Sequence, residues 1–161
     1  MRLPDNLSLM GFDVPVQDSS TSAWTKEDIA EALLNSACEL FQRGGHAVAV
    51  WHLAAAAEEI FGAVLQHRGE SSDRAITKLA NRLTAKIPGI DATDVYNFVY
   101  EGKRAIKHYN RPNEAVVIAE TDQVVYTLAM ALLNRVATGV PVSRPMWLVL
   151  DWLLRRDLER E

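Results

Sequence analysis

The segment AVAVWHLAAAAEEIFGAVLQH, beginning at residue 47, constrains this chain more than any other. From Ala47 to Ala57 apolar residues fall on nearly every side of a helix, which leaves no face for water. Such a helix has to be enclosed by others, and its many alanines let those neighbours come close. The expected fold is therefore all-α: a five- to six-helix bundle with an up-and-down core and an extended N-terminal arm.

The flanking sequence supplies the other helices. Thr25 with Asp28 three residues on, and Trp24 paired with Ile29, form a capping box and a hydrophobic staple. They predict a first helix running to about Gln42 and stopping at Gly44-Gly45. Ser71-Ser72 offers a cap for a third helix with Ile76, Leu79, Ala80 and Leu83 on one stripe, ending before Pro88-Gly89. Asp91, Asp94, Ile90 and Val95 repeat the first start device and open a fourth. Residues 111–119, RPNEAVVIA, read as a short extended connection. A fifth helix carries Val124, Val125, Leu128, Ala131, Leu132 and Val136 at helical spacing and closes at Gly139. Pro141 and Pro145 separate it from a sixth, MWLVLDWLLRRDLER. One domain is expected over 1–161, with an arm at 1–23, the bundle core at 24–139 and the apolar C-terminal helix at 143–161. Phe12, Val14 and Val16 alternate with Asp13 and Pro15 in the arm, so it should lay apolar side chains on its own core or on a second subunit.

Charge and motif content narrow the function classes. With 17 Lys+Arg against 21 Asp+Glu, the net charge of -4 works against broad binding to phosphate backbones, so any nucleic-acid contact would be local. The N-terminal MRLPDNLSLMGFDVP interrupts any apolar leader, and the apolar runs Ala47–Ala57 and Met146–Leu154 fall short of the roughly 20 residues of a membrane span. A cytoplasmic protein without membrane partners is expected. Cys38, the single cysteine, sits in ALLNSACELF and reads as a small core residue rather than a reactive thiol. His46, His52, His67 and His108 are scattered, and neither Glu-x-x-His nor His-Glu-x-x-His occurs, so no metal is expected. Phosphate-loop, dinucleotide and Gly-x-Ser-x-Gly signatures are also absent, and no cofactor is implied.

Two polar features remain as candidate sites. On the fourth helix Asp94, Asn97, Glu101, Arg104 and His108 form a ridge opposite the stripe of Val95, Phe98, Val99, Ile106 and Tyr109. That ridge is either a solvated face with a Glu101–Arg104 pair, or a site where His108 acts with Arg104 and Lys107 on an anionic ligand or phosphodiester. Glu58 and Glu59 follow the alanine run, where an unpaired carboxylate would be costly to bury, and His52 lies two turns earlier. Glu58, Glu59, His52, Lys107 and His108 are thus candidate ligand-binding residues, with a pocket between the Glu58-Glu59 segment and the fourth helix. The sixth helix, with Trp147 and Trp152 among leucines, docks on its own bundle or forms a homodimer seam.

AVAVWHLAAAAEEIFGAVLQHRG together with KRAIKHYNRPNEAVVIAETDQVVYTLAMALLNRV resembles a bacterial group of helical proteins with an Ala-Glu-Glu helix and a Lys-His element. More distantly, over residues 45–136, it resembles the HEPN-like bundles, which include toxin ribonucleases and their inactive relatives. The resemblance implies a helical bundle that dimerises with its polar segment near the interface. The ribonuclease members carry an Arg, four to six residues, then a His. Here three residues, Ala105, Ile106 and Lys107, separate Arg104 from His108, and Lys103 has the right separation but lacks the planar guanidinium fork. The expected function is a small helical binding or interaction protein, non-catalytic, acting as a homodimer with a possible protein partner. The alternative is a metal-independent endoribonuclease using Arg104, His108 and Glu101, with RNA as its partner.

Overall fold

A computed structural model describes the backbone of residues 23–107 and 121–158, and the side chains of these apart from those at 98, 101–107 and 157–158. The described residues form six α-helices and no strand. These are α1 (Lys26–Gln42), α2 (Ala47–His67), α3 (Ala75–Lys86), α4 (Ala92–Lys107), α5 (Thr121–Ala137) and α6 (Arg144–Leu158), with a 3₁₀ turn at Ser71–Asp73 before α3. The all-α bundle expected from the sequence is what the chain forms. The N-terminal arm and the 111–119 connection lie outside the described residues.

Local chemistry sets the helix ends. At α1 the Thr25 hydroxyl accepts from the Asp28 amide at 3.0 Å, and the Thr25 amide donates to the Asp28 carboxylate at 2.9 Å. The Thr25 hydroxyl, which donates to the Asp28 carboxylate at 2.6 Å, and then the Thr25 amide hold the Asp28 carboxyl below its ordinary range. Asp91 and Asp94 exchange the same two bonds at α4, at 3.0 and 2.9 Å. Gly44 ends α1 at φ +66°, a left-handed conformation that side-chain-bearing residues resist, and the next amide, Gly45, returns to the Leu40 carbonyl at 2.7 Å. The start of α3 differs from the expectation. Ser71-Ser72 forms the 3₁₀ turn, and the first amide of α3, Ala75, is capped at 2.7 Å by Asn134 of α5. A distant side chain takes the role assigned to the local serines.

α2 lies at the centre, packed chiefly on α1 and α5. Ala30, Leu34, Ala37 and Cys38 of α1 meet Val50, Trp51, Ala54, Ala57 and Phe61 of α2, and Val124, Leu128, Ala131 and Leu132 of α5 close the other side. Burying one such Leu or Phe fully stabilises the fold by about 1.5–3 kcal/mol. α1 and α2 are antiparallel, since Arg68 at the end of α2 pairs with Glu27 at the start of α1. α2 and α5 run parallel, because Trp51 bonds Thr127, Glu58 bonds Asn134 and Arg68 bonds Thr138 in sequence. α3 and α4 make the return between them, with a second core of Ala75, Ile76, Ala80, Val95 and Met130.

The sequence reading broke the α2 apolar run at Glu58. As one 21-residue helix, however, α2 is long and apolar enough to cross a membrane by length and composition. Here it is the core helix of the bundle. Burial pushes the Cys38 thiol, with the Glu39 charge in second place, up to about 12, in line with a core residue.

Arg135 secures the passage from α5 to α6. It is 2% exposed and donates to the Val140 and Pro141 carbonyls at 2.8 and 3.0 Å, to Thr138 at 3.2 Å, and to Glu31 of α1 at 3.1 Å. The loop it holds delivers Ser143 to Asn35, and α6 then buries Met146 and Val149 in the main core. Docking on its own bundle thus accounts for one face of α6. Trp147 (58% exposed), Leu148 and Leu154 (62%) remain open.

Candidate functional site

The carboxylates flagged in the sequence divide sharply. Glu58 is fully buried, Glu59 is exposed one residue on, and His52 is exposed on α2 two turns before Glu59. Asn134 donates its side-chain amide to both the Glu58 carbonyl and the Glu58 carboxylate at 3.2 Å while its oxygen caps Ala75. One buried asparagine therefore ties α2, α3 and α5 together.

Beside it stands Arg74, whose guanidinium lies over Gly62 of α2 and donates to the Tyr100 hydroxyl of α4 at 3.3 Å. A β-carbon at Gly62 would come within 3.0 Å of that guanidinium, so the glycine provides its seat. Burial, followed by the nearby negative charge of Glu58, pushes the Tyr100 phenol up to about 12, with Arg74 acting in the opposite direction. Tyr96 stacks on Tyr100 at 6.2 Å between ring centroids. The arrangement is a junction of four elements, and it places Tyr100 of α4 near Glu58.

Asn134, Arg74 and Tyr100 were not among the sequence candidates. Their partners lie 26 to 76 residues away, and no spacing rule connects them. Glu101, Arg104 and Lys107 sit on the last two turns of the α4 backbone, and His108 lies outside the described residues. Among the described residues no cluster of three His, Cys, Asp or Glu could hold a metal ion.

The other candidate surface is apolar. Between Val124 and Ala137 the exposed residues of α5 are Tyr126, Leu133 and Val136, at 37%, 52% and 48%, and none is charged. Val136 shares the helical spacing of Val124, Leu128, Ala131 and Leu132, but the structure turns it outward. α5 turns its polar Asn134 and Arg135 inward and leaves these apolar residues open. On one flank a groove of about 480 Å³ runs between Ala129 and Leu133 of α5 and Leu150, Leu153 and Leu154 of α6. Arg156 and Asp122 close its end with a 3.0 Å ion pair. On the other flank Leu79, Leu83, Ile90 and Val95 line a second groove of about 490 Å³, and Tyr126 borders both.

No family model, curated protein or solved structure matches this chain. The resemblance to HEPN-like bundles rests on the sequence patterns alone.

Proposed function

We propose that this chain is a non-catalytic helical interaction protein, HEPN-like in its bundle and cytoplasmic in its setting, whose working surface is the outer side of α5 with its two flanking grooves. The observation that carries this reading is the uncharged outer side of α5. Monomeric proteins rarely expose contiguous apolar patches beyond a few hundred Å² unless something docks there. Tyr126, which borders both grooves, supplies the amphipathic aromatic area that interface centres favour. The buried junction around Asn134 supports this role by holding α5 in place from behind.

The test compares a tagged wild-type chain with Leu133→Glu/Val136→Glu and with Arg82→Glu, a control on the exposed side of α3. In extracts of cells expressing them, wild type and control should elute in an assembly larger than the 17.9 kDa chain, and the double variant as the free chain. Equal elution of all three would refute the reading.

A further inference from the structure

The open face can be assigned an occupant, on the reading that it is a docking surface: we infer that a second copy of this chain packs there, antiparallel, α5 against α5. Tyr126, Ala129, Leu133 and Val136 follow one another at intervals of three, four and three residues. That is the spacing of a seam that keeps facing a partner helix along its length.

The side-chain sizes select the direction. In an antiparallel two-fold pair, Ala129 faces the partner's Leu133 and Tyr126 faces the partner's Val136, so large meets small in every layer. A parallel pair would set Ala129 against the partner's Ala129 and leave a gap between bulkier layers. It would also align the helix dipoles unfavourably. No charged side chain is exposed between Val124 and Ala137, so a two-fold contact brings no like charges together there.

The area is also adequate. Tyr126, Leu133, Val136 and Leu154 are between 37% and 62% exposed. With the half-buried groove walls they offer roughly 600 Å², counting about 200 Å² for each large side chain, the low end of the ~600–1,000 Å² per partner of a standard stable interface. The same patch on both copies gives a closed dimer rather than a fibre. This interface lies on apolar α5, whereas the family resemblance implied one near the polar segment of α4.

The purified full chain at about 100 μM should scatter light at twice 17.9 kDa, and Leu133→Glu at 17.9 kDa with unchanged helical circular dichroism. Register is read by mixing Ala129→Cys chains with Leu133→Cys chains under mild oxidation. Cross-links should form several-fold faster in the mixture than in either variant alone, and buried Cys38 does not compete. Wild type at 17.9 kDa would overturn the second-copy inference. If the extract assembly described above still dissolves in the double variant, the docking surface stands with a different protein on it. If that assembly is also missing, both ideas fall. Should Leu133→Glu lose its helical signal, the mixed cross-link decides, and equal rates in all samples would overturn the antiparallel pairing.

Discussion

Replacing Asn134 by alanine should cost this bundle about 3 kcal/mol. The side chain is completely buried and makes three bonds, accepting from the Ala75 amide at 2.7 Å and donating to the Glu58 carbonyl and carboxylate at 3.2 Å. Truncation leaves the Ala75 amide, on a residue only 4% exposed, with no acceptor, which costs about 1–3 kcal/mol for an orphaned buried donor. Losing the bond to Glu58 and opening a small void contribute on the order of 1 kcal/mol more. For a chain of this size each kcal/mol moves the melting temperature by about 2–4 °C, so the expected drop is roughly 6–12 °C. Thermal melts followed at 222 nm at pH 7 measure it. Asn134→Asp provides an internal check, because it keeps the acceptor for Ala75 but turns an oxygen toward the Glu58 carboxyl. It should be at least as destabilised as the alanine variant at pH 7, because it removes the donor to Glu58 and sets a second carboxyl against it in the core. A shift below about 3 °C for Asn134→Ala would refute the claim that this residue fastens three helices.

Three further outcomes follow from the same geometry. Cys38, raised to about 12 by burial, should resist thiol reagents at pH 8 in the native state and react fully in denaturant, and rapid native labelling would contradict its core placement. The Asp28 carboxyl, lowered from 3.8 by its bonds to Thr25, favours the fold above its unfolded value, and this contribution is lost as pH falls through the lower folded value. The difference in melting temperature between wild type and Asp28→Asn should therefore be present at pH 7 and shrink below about pH 4, while a constant difference would contradict the assignment. Finally, wild type and His108→Ala should both leave RNA intact in chelator, and cleavage that disappears only in the variant would establish the endoribonuclease alternative.

What the sequence reveals here is mostly local. Both capping boxes are visible because Thr25 and Asp28, or Asp91 and Asp94, are three residues apart and act within one turn. The centrality of α2 follows from apolar residues on every side, which leave one place for it to go. The α3 start was misplaced because its cap arrives from residue 134, 59 positions away. The outward turn of Leu133 and Val136 was hidden for a related reason. The polar Asn134 and Arg135 of α5 turn inward while its apolar Leu133 and Val136 turn outward, so the hydrophobic pattern does not mark the side the bundle leaves open. Glu58 and Glu59 were legible as a place where a carboxylate needs a partner, but Asn134, which donates to buried Glu58, could be found only in the fold.

The central claim, that the outer side of α5 is a contact surface, is tested most directly by a photo-crosslinking amino acid placed singly at each position from 124 to 137 in cells. The account predicts adducts that peak at 126, 129, 133 and 136 and fall between them, tracing one helical stripe. A flat yield along α5, no higher than at exposed Arg82, would contradict it.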